Sequence, residues 1–345
     1  MTSPWTDFLA RQGAAIDDTP PHAVRFDSDP PAEPATLVVP LLHLGTIRAS
    51  GEDSASFLHN LFSNDVKSLG DDGAQWNSFN SPKGRMLASF LIWRTEDGHG
   101  LALSADILPA LLKKLSMYVL RSKVRLVDGG DAFALLGVTG PDASTVLEKA
   151  GVAVPQADMT QTTRDAGNIR CIRLHSTAFV LVAGAETAAE RFEAVRDAGA
   201  VVAGTEAWQL AMIRAGVPLV TAATQEEFVA QMLNFELIGG VNFKKGCYPG
   251  QEIVARSQYL GKIKKRMYRV RIAADAAPSV GMDVYTPGFG EQSAGKLVNV
   301  ARTAAGGFEA LAVLQNSCAE GGEVHLGAPD GPLLSILDLP YSLPA

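Results

Sequence analysis

One short pattern occurs twice in this 345-residue chain: an apolar run, a glycine, acidic residues close behind it, and then an amphipathic segment. The copies are residues 47–58, Ile-Arg-Ala-Ser-Gly-Glu-Asp-Ser-Ala-Ser-Phe-Leu, and residues 136–147, Leu-Gly-Val-Thr-Gly-Pro-Asp-Ala-Ser-Thr-Val-Leu. Each predicts a strand, a glycine turn and a helix, because acidic side chains favour the first turn of a helix. The repeat therefore predicts two similar lobes that mix helices with strands.

The remaining segments show two different periods. Apolar residues at helical spacing predict helices near 107–119, 187–197 and 205–214, and an apolar run predicts a strand at 177–183. Beyond residue 262 the pattern changes to short alternating runs separated by glycine-rich turns, which predicts a small β-barrel. The predicted fold class is α+β, with two similar α+β domains and a C-terminal β-barrel.

The predicted domain boundaries follow these changes of pattern. Residues 1–36 are expected to be a flexible N-terminal segment, because prolines and acidic residues are frequent there. Residues 37–130 and 131–245 are expected to form the two α+β domains, which can exchange segments. Residues 246–345 are expected to form the barrel domain, with the thiol loop described below at its start.

The composition excludes several classes of protein. With 47% hydrophobic and 19% charged residues the chain can bury large cores, and no apolar run approaches the roughly 20 residues that span a bilayer. The first residues show neither a secretion signal nor an organelle-import pattern. Three widely spaced cysteines do not suggest a disulfide framework. We therefore expect a cytoplasmic protein without a membrane partner.

The sequence around Cys247 is the strongest candidate for a reactive site. Two glycines and a proline close to it rule out a regular helix or strand and predict a turn that exposes the thiol. Lys244 and Lys245 precede it, and neighbouring cations favour the thiolate, which is the nucleophilic form. A buried cysteine in a purely structural turn is the alternative. The other residues of this motif loop are Gly246, Tyr248, Gly250, Gln251 and Glu252.

The loop lies within residues 239–256, which closely resemble the signature of the YgfZ-type folate-binding proteins, relatives of the glycine-cleavage T-protein. Residues 82–86, 118–124 and 340–343 resemble further family segments, in the family's order. The resemblance implies a ring of the three domains around a central folate cleft, with tetrahydrofolate or a derivative as the bound ligand. It also implies a role in synthesis or repair of iron–sulfur clusters and, through cluster enzymes, in tRNA modification.

The resemblance implies roles for several residues. Trp208 stands where the family has a tryptophan associated with folate, and an indole face suits a planar ring, although an ordinary core tryptophan is the alternative. Leu44 stands where some relatives have another tryptophan and could line the slot without stacking. Lys83 and Arg85 flank a glycine turn and could meet a carboxylate or simply face solvent.

Cys247 would be the reactive thiol of such a protein. One thiolate cannot hold a cluster, which usually needs four ligands, so cluster contact would be transient or shared with a partner. The expected partners are therefore iron–sulfur enzymes or cluster carriers, and no resident metal site is expected.

A basic zone surrounds the thiol loop although the chain has a net charge of −7. Between residues 244 and 271 nine lysines and arginines stand against a single acid, Glu252. Such a zone should attract anions, and the polyglutamate tail of a folate would suit it. Nucleic acid ranks lower, because the zone is poor in aromatic residues and lacks an RNA-binding motif. The zone includes Arg256, Lys262 and Lys264.

Two departures from the T-protein pattern argue against an aminomethyltransferase. No carboxylate occurs in residues 84–91, where T-protein-like enzymes have an acid that faces the cofactor's reactive nitrogen. Arg214 stands where relatives commonly have a glutamate that recognises the pterin, a part that Glu206 could take instead. A folate-dependent one-carbon transferase and an RNA-binding adaptor remain the alternative functions.

Overall fold

The computed structural model describes residues 3–29, 31–164, 169–259, 261, 263–274 and 276–344. The chain forms two compact units. Unit 1 comprises Met1–His59, Asp65–Gln75 and Phe90–Trp208, and unit 2 comprises Asn60–Asn64, Trp76–Ser89 and Gln209–Ala345.

The described strands and helices have the following bounds. The strands are β1 (Ala15–Ile16), β2 (Val24–Arg25), β3 (Leu37–Pro40), β4 (Leu44–Ser50), β5 (Ala74–Asn80), β6 (Met86–Thr95), β7 (Gly98–Ser104), β8 (Arg125–Asp128), β9 (Phe133–Thr139), β10 (Thr160–Arg164), β11 (Ile169–His175), β12 (Ala178–Gly184), β13 (Val201–Val202), β14 (Lys265–Ile272), β15 (Asp283–Tyr285), β16 (Gly295–Arg302), β17 (Phe308–Gln315), β18 (His325–Leu326) and β19 (Leu334–Leu337). The helices are α1 (Pro4–Arg11), α2 (Ser54–Leu61), α3 (Leu108–Ser116), α4 (Ala143–Lys149), α5 (Ala188–Asp197), α6 (Thr205–Arg214), α7 (Gln251–Tyr259) and α8 (Asn316–Ala319). Short 3₁₀ turns occur at Val66–Ser68, Ala222–Thr224, Ala230–Leu233 and Pro287–Phe289.

The predicted repeat is confirmed, and its glycines explain it. Gly51 follows β4 and Gly140 follows β9, with φ of +119° and +134°, a region that residues with a side chain rarely adopt. Each also lies against a backbone carbonyl. A Cβ on Gly51 would be 2.2 Å from the oxygen of Lys123, and one on Gly140 would be 2.4 Å from the oxygen of Ala35. Both turns therefore require glycine before α2 and α4 begin.

The second copy of the repeat belongs to a six-stranded sheet with the order β10-β11-β12-β9-β3-β13. Its apolar face packs against α4 and α5 through side chains such as Val146, Leu147, Phe192 and Val195. Strand β3 pairs with β9, so residues 37–40, predicted for the first α+β domain, join the sheet of the second. The first copy belongs to a five-stranded sheet with the order β5-β6-β7-β4-β8.

The N-terminal segment differs from its prediction as a flexible lead-in. Helix α1 begins with a capping box in which the side chain of Ser3 accepts from the backbone N–H of Thr6. The rings of Trp5 and Phe8 each lie 5.9 Å from the ring of Phe192. This part of residues 1–36 is therefore held by the core of unit 1, because its apolar side chains are buried there.

The C-terminal strands form a six-stranded sheet in unit 2, with the order β18-β15-β16-β17-β14-β19. Its two outermost strands also meet. His325 and Leu333 form an antiparallel bridge, and the N–H of Leu334 donates to the carbonyl of Val324 at 2.8 Å. The sheet thus returns on itself, as expected of the predicted barrel. The predicted ring of three domains around a cleft stays a prediction.

A second core in unit 2 lies beside this sheet and joins segments that are far apart in the sequence. It contains Met86, Leu210 and Phe235 together with Met267 and Leu311 of the barrel strands. Residues 76–89 and 209–245 therefore share a compact unit with the barrel, whereas the sequence divided them between the two α+β domains. Local periodicity cannot reveal such long-range packing.

Candidate functional site

The loop that carries Cys247 is anchored to residues 62–64 of unit 2. The hydroxyl of Ser63 donates to the carbonyl of Gly240 at 2.7 Å, and the side-chain amide of Asn64 donates to the carbonyl of Gly239 at 2.7 Å. The backbone N–H of Asn242 donates to the carbonyl of Ser63 at 3.0 Å. The first half of the loop therefore has a fixed path.

The second half of the loop rests on the turn at residues 81–85. Gly250 has φ of +79°, and a Cβ there would be 2.5 Å from the carbonyl oxygen of Ser81 and 2.7 Å from the Cα of Gly84. A Cβ on Gly84 would in turn be 2.9 Å from the Cβ of Ile253. The glycine turn at residues 81–85 and the loop that carries Cys247, which are far apart in the sequence, are thus in contact. Only glycine allows the two backbones to approach so closely.

The thiol of Cys247 is exposed, whereas Cys171 and Cys318 are buried. The prediction of an exposing turn is therefore confirmed. Helix α7 begins at Gln251, whose side chain donates to the carbonyl of Lys245 at 3.4 Å. The loop presents its thiol to solvent between two fixed ends.

Lys245 has a structural position that the sequence did not indicate. It is 8% exposed, its Nζ donates to the carbonyl of Phe62 at 2.6 Å, and it lies 4.7 Å from the centre of the Tyr248 ring. A carbonyl and an aromatic face both stabilise a buried cation. Burial also raises the pKa of Tyr248 to about 12, so that its ring stays neutral. Of the two predicted flanking cations, Lys244 alone is exposed.

The other predicted residues of unit 2 lie mainly at the surface. Lys83 is exposed, and Arg85 is half-buried, with its guanidinium donating to the carbonyl of Glu227. Lys262 lies outside the described residues. Four further residues of the motif loop and the basic zone are exposed at the surface, as is Arg271 at the end of the zone; the four are Gly246, Glu252, Arg256 and Lys264.

Trp208 and Leu44 belong to unit 1. Trp208 is 3% exposed, and its ring covers Gly137 of β9, where a Cβ would be 2.3 Å from Cε3 of the indole. Leu44 is half-buried at the start of β4, opposite Ser104. Trp208 is thus a core side chain of this unit, and the predicted contacts of both residues with folate stay predictions.

Both departures from the T-protein pattern have structural counterparts in unit 2. Arg214 donates to Glu309 at 2.9 Å, and Glu309 is only 3% exposed, so the arginine compensates a buried carboxylate. Within residues 84–91 the hydroxyl of Ser89 donates to the carbonyl of Pro218 at 3.3 Å and accepts from the N–H of Val220 at 2.9 Å. Neither side chain supplies an acid for proton transfer.

One face of β5 carries polar side chains that sequence reasoning missed. Ser78 and Asn80 are 0% and 1% exposed, and neither the hydroxyl nor either amide atom has a hydrogen-bond partner in the described structure. Trp76, on the same face, is half-buried. The signal in the sequence was the presence of three polar residues, Asn77, Ser78 and Asn80, close together between Trp76 and the glycine turn at Gly84.

The described residues contain no cluster of three or more His, Cys, Asp or Glu side chains that could hold a metal ion. None of their helices combines the length and the apolar character needed to cross a membrane.

Known proteins resemble this chain in sequence and fold. The family model described as the GCVT N-terminal domain matches residues 35–238. The tRNA-modifying protein YgfZ of Enterobacter sp. (strain 638) is 30% identical, over 92% of this chain and 99% of its own length. The tRNA-modifying protein YgfZ of Photorhabdus laumondii is 28% identical, over 92% of this chain and 97% of its own length. The crystal structure of the glycine cleavage system aminomethyltransferase T from Bartonella henselae matches with a TM-score of 0.79 at 15% identity, over 99% of this chain and 97% of that one, and shows a shared fold.

Proposed function

This chain belongs to the GCVT-domain family together with the YgfZ proteins, and from that membership we propose that it binds tetrahydrofolate and supports iron–sulfur cluster synthesis or repair through the thiol of Cys247. Enzymes that contain such clusters would link it to tRNA modification, in keeping with the name of its YgfZ relatives.

The observation that carries the proposal is the way the structure presents Cys247. A structural cysteine is usually buried, as Cys171 and Cys318 are here. Cys247 is instead exposed on a loop whose two ends are held by hydrogen bonds and by the contact between Gly84 and Gly250. A fixed loop with an exposed thiol suits a group that acts on a partner.

A single thiolate can ligate an iron atom but cannot hold a cluster alone. We therefore place the cluster on a second protein, an iron–sulfur enzyme or a carrier, with Cys247 as a transient ligand. Exposed cations beside the loop, Lys244, Arg256 and Lys264, would attract an acidic partner or an anionic ligand. Three free cysteines support a reducing compartment such as the cytoplasm.

Folate is proposed as the ligand on the strength of the family, with Trp208, Leu44, Lys83 and Arg85 as the contact residues that the resemblance implies. The exposed position of Lys83 leaves its ammonium group open to a carboxylate. Arg85 has fewer donors left for a ligand, because part of its guanidinium is taken up by Glu227.

We expect folates with polyglutamate tails to bind more tightly than the monoglutamate at low salt, since the basic zone would attract the extra carboxylates. The difference should shrink between about 20 and 300 mM salt, where screening becomes strong. Isothermal titration of both forms at several salt concentrations measures this.

Arg256→Ala and Lys264→Ala should each reduce the preference for the longer tail. Arg125→Ala removes an exposed cation from unit 1 and serves as the control, with no change expected. A preference that is the same at all salt concentrations would rule out a part for the basic zone.

We expect no appreciable transfer of an aminomethyl group to tetrahydrofolate. General acid catalysis contributes about 10²–10⁴-fold to such a step, and residues 84–91 offer only the hydrogen-bonded hydroxyl of Ser89 and the guanidinium of Arg85. A glycine-cleavage assay with a genuine T-protein as positive control measures the rate. Turnover close to that of the T-protein would favour the one-carbon transferase instead.

A further inference from the structure

The loop between helix α3 and strand β8 exposes three large apolar side chains to solvent. Leu120 is 89% exposed, Met117 64% and Tyr118 43%. All three lie within a stretch of four residues and belong to unit 1. Single apolar residues are common on protein surfaces, but a group of them at one place is typical of a surface that another molecule covers.

An open cleft of about 760 Å³ lies beside this loop. One wall belongs to the loop and the other to the start of α2, and the lining residues are Tyr118, Leu120, Arg121 and Ser122 with Asp53 and Ser56. A pocket for a small molecule encloses most of its ligand, whereas this cleft is largely open to solvent. Its shape therefore suits a segment of a larger molecule that lies across it.

The base of the loop is fixed on the turn before α2. The backbone N–H of Lys123 donates to the carboxylate of Asp53 at 2.7 Å, and the carbonyl of Lys123 lies so close to Gly51 that a Cβ there would be 2.2 Å away. Leu120 has φ of +42°, a conformation that glycine and asparagine adopt more readily than leucine. The loop thus presents a leucine that neither burial nor backbone preference explains.

Cations without a partner of opposite charge lie on both sides of the apolar group. Arg121 lines the cleft and Lys113 lies in the last turn of α3, and neither forms an ion pair with another described residue. Lys123 is paired with Glu52, and Asp53, the acid that lines the cleft, already accepts from the N–H of Lys123. Arg121 and Lys113 therefore form a positive rim, although the chain has a net charge of −7.

From this combination we propose that the loop and the cleft bind a segment of a partner protein in which apolar side chains are flanked by acidic residues. The apolar side chains of that segment pack on Met117, Tyr118 and Leu120, and its carboxylates pair with the positive rim. RNA fits less well, because its unstacked bases need aromatic rings and two of the three exposed side chains are aliphatic. This docking surface lies in unit 1 and does not depend on folate or on Cys247.

Photo-crosslinking in cells that express the chain identifies what covers the loop. Benzoylphenylalanine in place of Leu120 should crosslink to another protein, and mass spectrometry should locate the crosslink in a segment that combines apolar residues with aspartate or glutamate. The same group in place of Thr145, an exposed residue of α4, is the control and should give no such product. A product that RNase removes, a crosslink to a second copy of this chain or to a segment without acidic residues, or no product above the control overturns the proposal.

A synthetic peptide with the crosslinked sequence tests the charge contacts, with fluorescence anisotropy as the measurement. Arg121→Glu should weaken binding about tenfold or more, because a like charge then faces the carboxylates. Binding to the wild-type chain should weaken as the salt concentration rises. Lys149→Glu changes an exposed cation of α4 in the same way and is the matched control, with wild-type affinity expected.

Leu120→Asn separates docking from folding. Asparagine adopts positive φ more readily than leucine and the replaced side chain is almost fully exposed, so the variant should melt at the wild-type temperature or higher. Its affinity for the peptide should fall severalfold or more, because the apolar contact is lost. Wild-type affinity in both L120N and R121E overturns the proposal. Binding to phosphatidylglycerol vesicles that is lost in L120N overturns it as well, since a lipid surface would then be the occupant.

Discussion

Replacement of Cys247 by alanine is expected to abolish the rescue of iron–sulfur enzymes in cells that lack this protein, while the purified variant still folds and binds folate. The side chain is exposed, so its removal takes little buried surface from unit 2, and substitutions of this kind usually change stability by less than about 0.5 kcal/mol. The measurement is the activity of cluster-dependent enzymes and the level of cluster-dependent tRNA modification in complemented cells.

Cys318→Ala is the control for this loss, because its thiol is buried in the barrel core and should not take part. Limiting iodoacetamide at neutral pH should label Cys247 well before Cys171, which lies in β11 at 1% exposure. Burial raises the pKa of the Cys171 thiol to about 12, so its reactive thiolate is scarce at neutral pH. Full rescue by the alanine variant would leave folate binding to carry the function alone.

Replacement of Trp208 by alanine is expected to destabilise unit 1 by about 3–5 kcal/mol, the usual cost of emptying a large buried aromatic site. The ring is 3% exposed and fills the space above Gly137. Chemical denaturation followed by circular dichroism measures the loss. Trp208→Phe keeps most of the packing, and it is therefore the variant in which a direct effect on folate can be read.

A double-mutant cycle with Gly137 tests the same contact. Gly137→Ala alone should also destabilise, because its Cβ would lie 2.3 Å from the indole. In the Trp208→Ala background the same methyl group enters the vacated space. The double variant should therefore lose clearly less stability than the sum of the losses of the two single variants. If the double variant loses the full sum of the two single losses, the indole of Trp208 is not the reason that position 137 requires glycine.

The features that could be predicted from the sequence are the local ones. The repeat was readable because Gly51 and Gly140 each end a strand and precede a helix, and helix α6 at Thr205–Arg214 follows the predicted 205–214. The helix at Pro4–Arg11 was not predicted, although Ser3 and Pro4 are both signals of a helix start. The prediction of a flexible segment over residues 1–36 rested on prolines and acidic residues, most of which follow this helix.

The features that escaped prediction depend on contacts between distant residues. The sequence places Lys245 beside Cys247, but the side chain points to the carbonyl of Phe62, and adjacency along a chain does not fix direction. The close approach of Gly84 to Gly250 brings two motifs together. The sequence shows only their order along the chain and not this contact. Whether the amide of Asn80 is paired depends on its neighbours in the folded chain, and the sequence alone does not place those neighbours.

The central claim, that this is a folate-binding protein whose thiol acts apart from ligand binding, is tested most directly by isothermal titration of wild-type and Cys247→Ala protein with 5-formyltetrahydrofolate. We expect saturable binding with a Kd of roughly micromolar order, about −8 kcal/mol, and the same Kd within about twofold in the variant. The absence of saturable binding to the wild-type protein would contradict the claim.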